Sequence, residues 1–266
     1  MAVADLSPGV ASAISPLVRR IVAPNAGPLT GAGTNTYLVG VDEIVVVDPG
    51  PAVAGHVDAI VGCGGDRIRW IAVTHAHDDH SAAAASLADR TGAELLAFGT
   101  VEEGFELEAT EFRLLAMHTP GHSPDHLCYL LEEERMLFSG DTVIDGSTVM
   151  IAPPGGDMAA YLASLERLTS RRLRLRTIAP GHGHLIEDPA ARLAEYLAHR
   201  LEREAAILAA LEAGAVSVDQ LVDAVYVDLH ATLREAAAGT VHAHLLKLAA
   251  EGRATGSDGA WHSRAA

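Results

Sequence analysis

The spacing of apolar residues along the chain changes from alternating to helical and back, and each change predicts an element. Residues 36–40 and 43–47 read as short strands around a turn, and the second runs into Asp48-Pro49-Gly50-Pro51, a strong chain breaker. Residues 55–61 are predicted to be helical, and 69–73 form a buried strand that follows Gly64-Gly65 and ends in a polar loop. The alanine-rich stretch 82–90 predicts a helix closed by Gly92. Strands follow at 94–97, as a hairpin-like pair across 105–117, and at 126–131 and 135–139 on either side of the acidic turn Glu132-Glu133-Glu134. Residues 157–168 place Tyr161, Leu162, Leu165 and Leu168 on one helical face. A further strand is predicted at 174–178 and a long helix at 189–211. Strands followed by helices, twice over, give an α/β fold of two mixed sheets flanked by helices.

A break near residues 213–217 divides the chain into a domain of 1–212 and a smaller one of 213–266. The smaller one reads as helix (218–226), helix (233–251) and a Gly-rich tail with one Trp (256–261), the plan of a winged-helix-like domain.

Composition narrows the classes. With 49% hydrophobic and 20% charged residues, a core is readily buried, and with only 4% aromatics base-stacking platforms are scarce. A net charge of −16 opposes promiscuous binding of nucleic acid. From residue 214 onward six acidic residues face four Lys or Arg, a poor balance for phosphate contacts. Cys63 and Cys128 have no ligand spacing and read as buried small apolar residues, so no disulfide framework is implied. The N-terminal stretch lacks the basic start and apolar run of a signal peptide, and no apolar run is long enough to span a bilayer. These features place the chain in the cytoplasm.

The chemistry is concentrated in Thr74-His75-Ala76-His77-Asp78-Asp79-His80, directly after a predicted buried strand. Neutral imidazoles with a carboxylate suit Zn²⁺. Alternate residues of a tight turn point the same way, so His75 and His77 can hold one ion while Asp79 and His80 hold a second beside it. Three more candidates stand beside glycine after apolar strands: His122 in Pro120-Gly121-His122, Asp141 in Ser139-Gly140-Asp141, and His182 in Pro180-Gly181-His182. Glycine lets the backbone bring such a ligand close to a crowded pair of ions. His118, His126 and His184 lie near ligands in sequence and either orient them or pack as ordinary polar groups. His56, His199, His230, His242, His244 and His262 show no ligand spacing. Arg171, Arg172, Arg174 and Arg176 read as a solvated strand face and partners for a helix end, while Met117, Met136 and Met150 read as core filler.

In order and spacing, these residues resemble the metallo-β-lactamase superfamily hydrolases, including glyoxalase II-type enzymes, over about residues 20–190. The resemblance implies an αββα sandwich of two mixed sheets. It implies that His75, His77 and His122 hold the first metal, that Asp79, His80 and His182 hold the second, and that Asp141 bridges them. His77 is not the carboxylate found in the oxygen-reducing di-iron members, which favours hydrolysis over redox chemistry. The stretches Gly33-Thr34-Asn35-Thr36-Tyr37-Leu38-Val39-Gly40, Ala179-Pro180-Gly181-His182-Gly183-His184, Tyr196-Leu197-Ala198-His199-Arg200 and His242-Ala243-His244-Leu245-Leu246-Lys247-Leu248-Ala249-Ala250-Glu251-Gly252 look like the lactamase-beta-2-like branch. That branch includes thioesterases of polyketide pathways and single-strand-specific endoribonucleases.

The expectation is a hydrolase with two zinc ions, manganese or iron being the alternatives. A hydroxide shared by two ions about 3.5–4 Å apart would attack an ester, thioester or lactone carbonyl. Asp79 is the catalytic candidate, orienting the attack and accepting a proton. Single-strand RNA cleavage is the competing activity; weak β-lactamase action and a non-catalytic binding module rank below it. The winged segment is expected to pack on the catalytic domain, to shape the substrate mouth or to mediate a homodimer, with no membrane partner.

Overall fold

In a computed structural model, residues 6–257 and 259–264 are described. They fall into two compact units. The first takes the chain up to Thr119 together with Asp125–Thr148 and Ser170–Ala190, and the second takes Pro120–Pro124, Val149–Thr169 and Ala191 onward.

The first unit contains two mixed sheets. Strands β1 (Ser12–Ala13), β2 (Val18–Val22), β3 (Asn35–Val39) and β4 (Ile44–Val47) run antiparallel, and β5 (Ile68–Ala72) and β6 (Glu94–Leu96) join β4 in parallel. Parallel pairing needs a crossover, and α1 (Ala54–Gly64) supplies the one between β4 and β5. Between β5 and β6 lie α2 (Asp78–Ser81) and α3 (Ala84–Thr91). The second sheet has the order β11-β10-β9-β8-β7. Strands β7 (Glu106–Glu108), β8 (Arg113–His118), β9 (Leu127–Leu131) and β10 (Met136–Gly140) form an antiparallel meander, and β11 (Thr177–Pro180) pairs with β10 in parallel.

Side chains alternate between the faces of a strand, so each sheet offers two apolar faces to cover. Val18, Tyr37, Val39, Val45 and Val47 of the first sheet pack in one core with Leu114, Ala116, Leu127, Tyr129, Leu131 and Phe138 of the second. Ile21, Leu38, Ile44, Val46 and Ile71 face the other way, onto Val57 and Ile60 of α1 and Leu87 of α3. The crossovers and meanders leave several strands ending in loops, among them those after β4, β5, β10 and β11.

The second unit contains α4 (Met158–Leu168), nearly all of α5 (Pro189–Glu212), α6 (Val218–Val225), α7 (Arg234–Ala250) and the hairpin of β12 (Ala254–Ser257) and β13 (Ala260–Ser263). Tyr161, Leu162, Leu165 and Leu168 are all buried, as their spacing on α4 predicts. Ile207, Leu221, Val222, Val241, Leu245 and Leu248 form the core of the helix-helix-hairpin module. Ser217 caps α6 by accepting from the Gln220 amide, and the Gln220 side chain returns the contact as a capping box.

Two expectations need correction, and two features went unpredicted. Strands β1 and β2 have no counterpart in the sequence reading, because Val18-Arg19-Arg20-Ile21-Val22 breaks the apolar pattern and Arg20 is nonetheless buried. The helix placed at 82–90 is α3, closed by Gly92 as expected, but it starts only at Ala84 because the Ala83 amide bonds to the Gly50 carbonyl; the short α2 before it was not predicted. The strand placed at 174–178 begins only at Thr177, because Arg174 adopts a left-handed φ of 51° that a strand cannot hold. Cys63 is half-buried rather than buried, and Cys128 is buried as expected; both are free thiols.

Candidate metal centre

The centre starts from Asp48, at the end of β4, where the chain turns through a left-handed φ of 50°. This turn points a buried carboxylate back beneath the loop after β5. Asp48 Oδ1 accepts the Thr74 amide at 2.7 Å, and Oδ2 accepts the Thr74 hydroxyl at 2.8 Å and faces His80 Nδ1 at 2.8 Å. One carboxylate therefore fixes the first and last residues of the His-rich loop. Sequence reading treated Asp48 only as part of a breaker.

The hydrogen bonds also set the tautomers. A carboxylate or carbonyl oxygen can only accept, so the nitrogen facing it carries the proton. His80 Nδ1 donates to Asp48, and His182 Nδ1 donates to the Gly33 carbonyl at 3.3 Å. The Thr74 hydroxyl spends its proton on Asp48 and so accepts from His75 Nδ1, 3.0 Å away. In each ring Nε2 is the nitrogen left to turn toward the centre, as in a metal-binding imidazole, and on His80 a metal ion would take the place of a proton. His75 Nε2 lies 3.0 Å from His77 Nδ1. Two nitrogens that share a tetrahedral zinc with bonds of 2.0–2.1 Å stand about 3.3 Å apart, so the pair is close to a binding geometry.

On the other side of His80 the donors converge. Its Nε2 is buried, makes no hydrogen bond, and faces Asp79 Oδ2 at 3.6 Å and Asp141 Oδ1 at 3.5 Å. His182 Nε2 faces the same two carboxylates at 3.4 and 3.5 Å. Ligand atoms of Asp79, His80 and His182 all lie within 4.8 Å of one another, as do those of His75, His80 and Asp141. Such proximity requires glycine at two loop positions. A Cβ on Gly181 would stand 2.6 Å from the His80 ring and 2.9 Å from Asp141 Oδ1, and one on Gly140 would stand 2.5 Å from the Thr74 hydroxyl oxygen.

Electrostatics fits a cation. Burial opposes charge on His80, yet the carboxylates of Asp141 and Asp48 outweigh it and hold its pKa well above the ordinary histidine value. Burial pushes the Asp79 carboxyl up, but His182 and His80 beside it prevail and hold its pKa below the ordinary value. Asp79 is thus a carboxylate at neutral pH, in a pocket that favours positive charge.

The structure therefore brings together six of the seven candidates, His75, His77, Asp79, His80, Asp141 and His182, in the first unit. His122 belongs to the second, where it is buried and its Nδ1 donates to the Met150 carbonyl at 2.8 Å, leaving the lone pair on Nε2. Of the flanking histidines, His126 is buried with its Nε2 accepting the Asp141 amide at 3.1 Å. His118 stacks on Phe98, with ring centroids 4.7 Å apart, and the His184 amide donates to Asp145. Arg171, Arg172, Arg174 and Arg176 lie outside these clusters, exposed on the turn and loop before β11 rather than on a strand face as expected.

Two mixed sheets whose loops gather histidines and carboxylates define a class of metal-dependent hydrolases. The chain belongs to the metallo-beta-lactamase superfamily, whose description matches residues 29–99 and 94–182, and it is a metal-dependent hydrolase of that superfamily. A beta-lactamase associated winged helix domain matches residues 217–261. The chain is 33% identical over 263 residues to a beta-lactamase-like protein 2 homolog of Caenorhabditis elegans, covering 90% of this chain and 86% of that one. It is 32% identical to an atrochrysone carboxyl ACP thioesterase of a Cryptosporiopsis species, covering 90% and 82%. A metallo-beta-lactamase family protein of Thermus thermophilus has the same fold, with a TM-score of 0.79 at 23% identity over 95% of this chain and 100% of that one. The fold is thus the αββα sandwich with its winged-helix appendage.

Proposed function

We propose that the protein hydrolyses a small thioester or ester at a pair of zinc ions. His75, His77 and His122 would hold one ion, Asp79, His80 and His182 the other, and Asp141 would be shared. The observation that carries this reading is the position of Asp141 Oδ1, 3.5 Å from both His80 Nε2 and His182 Nε2 and clustered with His75 as well. An oxygen that faces both His80 and His182 and also clusters with His75 suits a bridge. The nitrogen-rich donor set suits zinc.

Bound there, two divalent ions supply Lewis acidity that lowers the pKa of water and polarises a carbonyl. The residues around them do the rest. Asp79 is ionised at neutral pH, so its carboxylate can accept a proton from an attacking water. Asp48 holds His80 in one tautomer, and the Gly33 carbonyl does the same for His182. The thioesterase named among the relatives, 32% identical, supports a thioester over the other carbonyl substrates.

The test is metal analysis after equilibration with excess zinc, followed by turnover of thioesters, esters, lactones, a chromogenic β-lactam and single-stranded RNA. We expect close to two ions per chain and fastest turnover on a thioester. One ion per chain would overturn the paired centre, and RNA cleaved faster than any carbonyl substrate would overturn the substrate class.

A further inference from the structure

The loop residues Asp125 and His126, just before β9, are in none of the ligand clusters, yet each touches a different part of the centre. Asp125 is half-buried, and its Oδ2 accepts the Ala76 amide at 2.9 Å. Ala76 stands between His75 and His77, so this bond fixes the bend that turns the two imidazoles toward each other. His126 is fully buried. Its Nε2 accepts the Asp141 amide at 3.1 Å, and its ring stacks on that of His75 with centroids 4.9 Å apart and planes 22° from parallel. Because Nε2 accepts, the ring proton sits on Nδ1, 3.1 Å from the Thr119 hydroxyl and 3.3 Å from that of Thr142. Gly140 shows how tightly this side is closed, since a Cβ there would stand 2.8 Å from His126 Nε2.

We infer that Asp125 and His126 are positioning residues for the centre: Asp125 sets the His75 and His77 loop, and His126 sets Asp141. Neither binds an ion. The inference rests on the metal reading given under Proposed function. It differs from simple packing in one respect: what matters is an acceptor atom at each position, not the volume or charge of the side chain. Asparagine at 125 keeps an oxygen for the Ala76 amide, and alanine does not. Glutamine at 126 places an amide oxygen near the position of Nε2, whereas the shorter asparagine falls short of it.

The test compares Asp125→Asn with Asp125→Ala, and His126→Gln with His126→Asn, in the full chain. Zinc affinity is read by chelator competition, and melting of the metal-free protein is read by circular dichroism. Asp125→Ala should weaken zinc binding by about 10–100-fold, with metal-free melting unchanged and most of the affinity kept in Asp125→Asn. His126→Gln should bind more tightly than His126→Asn. The inference is overturned if Asp125→Ala binds zinc like the wild type, or if Asp125→Asn loses as much as Asp125→Ala. The Asp125 pair decides the Asp125 part; a His126→Gln that binds zinc no more tightly than His126→Asn, or fails to fold alongside it, overturns the His126 part. Wild-type protein that takes up no zinc would instead overturn the metal reading and is told apart by that control.

Discussion

At the residue scale, His75, His80, His122 and His182 share one arrangement: Nδ1 carries a proton toward an oxygen, and Nε2 is the nitrogen left for another partner. Neutral imidazole is the form that binds metal, and fixing its tautomer in advance removes a cost from binding. Asp79 differs in being a carboxylate kept ionised by its neighbours, suited both to ligate and to take a proton. We therefore expect Asp79→Ala to lower kcat by about 10²–10⁴-fold, with far-UV circular dichroism unchanged. His184→Ala should cost less, about tenfold to a hundredfold if its ring orients a ligand. Equal losses in steady-state kinetics would reverse that ranking.

His56 offers a separate test at the same scale. It is buried beside the Thr36 hydroxyl, with Nε2 at 2.9 Å, and burial lowers its pKa to about 4. The unfolded chain binds a proton at this histidine near pH 6.5 and the folded chain does not. Its contribution is therefore whole above about pH 6.5 and is lost as the pH falls toward about 4, a change on the order of 3 kcal/mol. In urea melts of metal-free protein, His56→Gln should flatten the decline in stability over that window. An identical slope in both proteins would show that His56 is protonated without penalty.

The candidate ligands were legible in the sequence because imidazoles and carboxylates crowded beside glycine are hard to explain otherwise. Asp48 and Asp125 were not, because an aspartate near proline in a turn usually serves the turn itself. Their role comes from Thr74 and Ala76 folding back onto them, which is a tertiary fact.

At the scale of elements, the long periodic stretches were read correctly and the interrupted ones were not. Helix α4 shows its buried face in sequence. The break between α2 and α3 is invisible there because the carbonyl of Gly50, far earlier in the chain, takes the Ala83 amide. The capping box of α6 permits a direct check. Ser217→Ala removes the acceptor for the Gln220 amide and should cost about 1 kcal/mol in a denaturant melt; an unchanged midpoint would mean that packing alone holds the start of this helix.

The C-terminal elements also bear on nucleic acid. Arg234 pairs with Asp223 at 2.6 Å, Lys247 with Glu204 at 2.8 Å, and Arg253 with Glu204 at 2.7 Å. These cations are engaged by carboxylates, and phosphate binding would have to displace them. Fluorescent single- and double-stranded oligonucleotides titrated into the full chain should show no binding at physiological salt. Micromolar affinity with a steep salt dependence would contradict this.

At the scale of the whole molecule, the net charge of −16 and the cluster of acidic ligands act in the same direction. Without metal the Asp79 and Asp141 carboxylates rely on His80 and His182 for compensation, and ligands are assembled only by folding, so metal and fold should be linked. At a free zinc concentration about 1,000 times Kd, binding adds about 4 kcal/mol. Treatment with a chelator should thus lower Tm by several degrees, and zinc should restore it. A Tm indifferent to chelator would mean that the strand-end loops are rigid without metal. None of the helices among the described residues is long and apolar enough to cross a membrane.

The strand order has one more consequence, seen along the time axis of synthesis. The first sheet is finished at Leu96 and already carries His75, His77, Asp79 and His80. Asp141 and His182 arrive only with the second sheet, the latter after β11 has paired with β10. A growing chain therefore displays a cluster of donors long before their counterparts exist. Metal acquired at that stage would be held by a few ligands on an open edge and exchanged freely. On the proposed ligand set, tight loading waits until residue 182 has left the ribosome and the parallel pair has closed, a late event in the maturation of this chain. Nascent chains halted at residue 175 should take up zinc only weakly, and those released after residue 190 should retain it through a chelator wash.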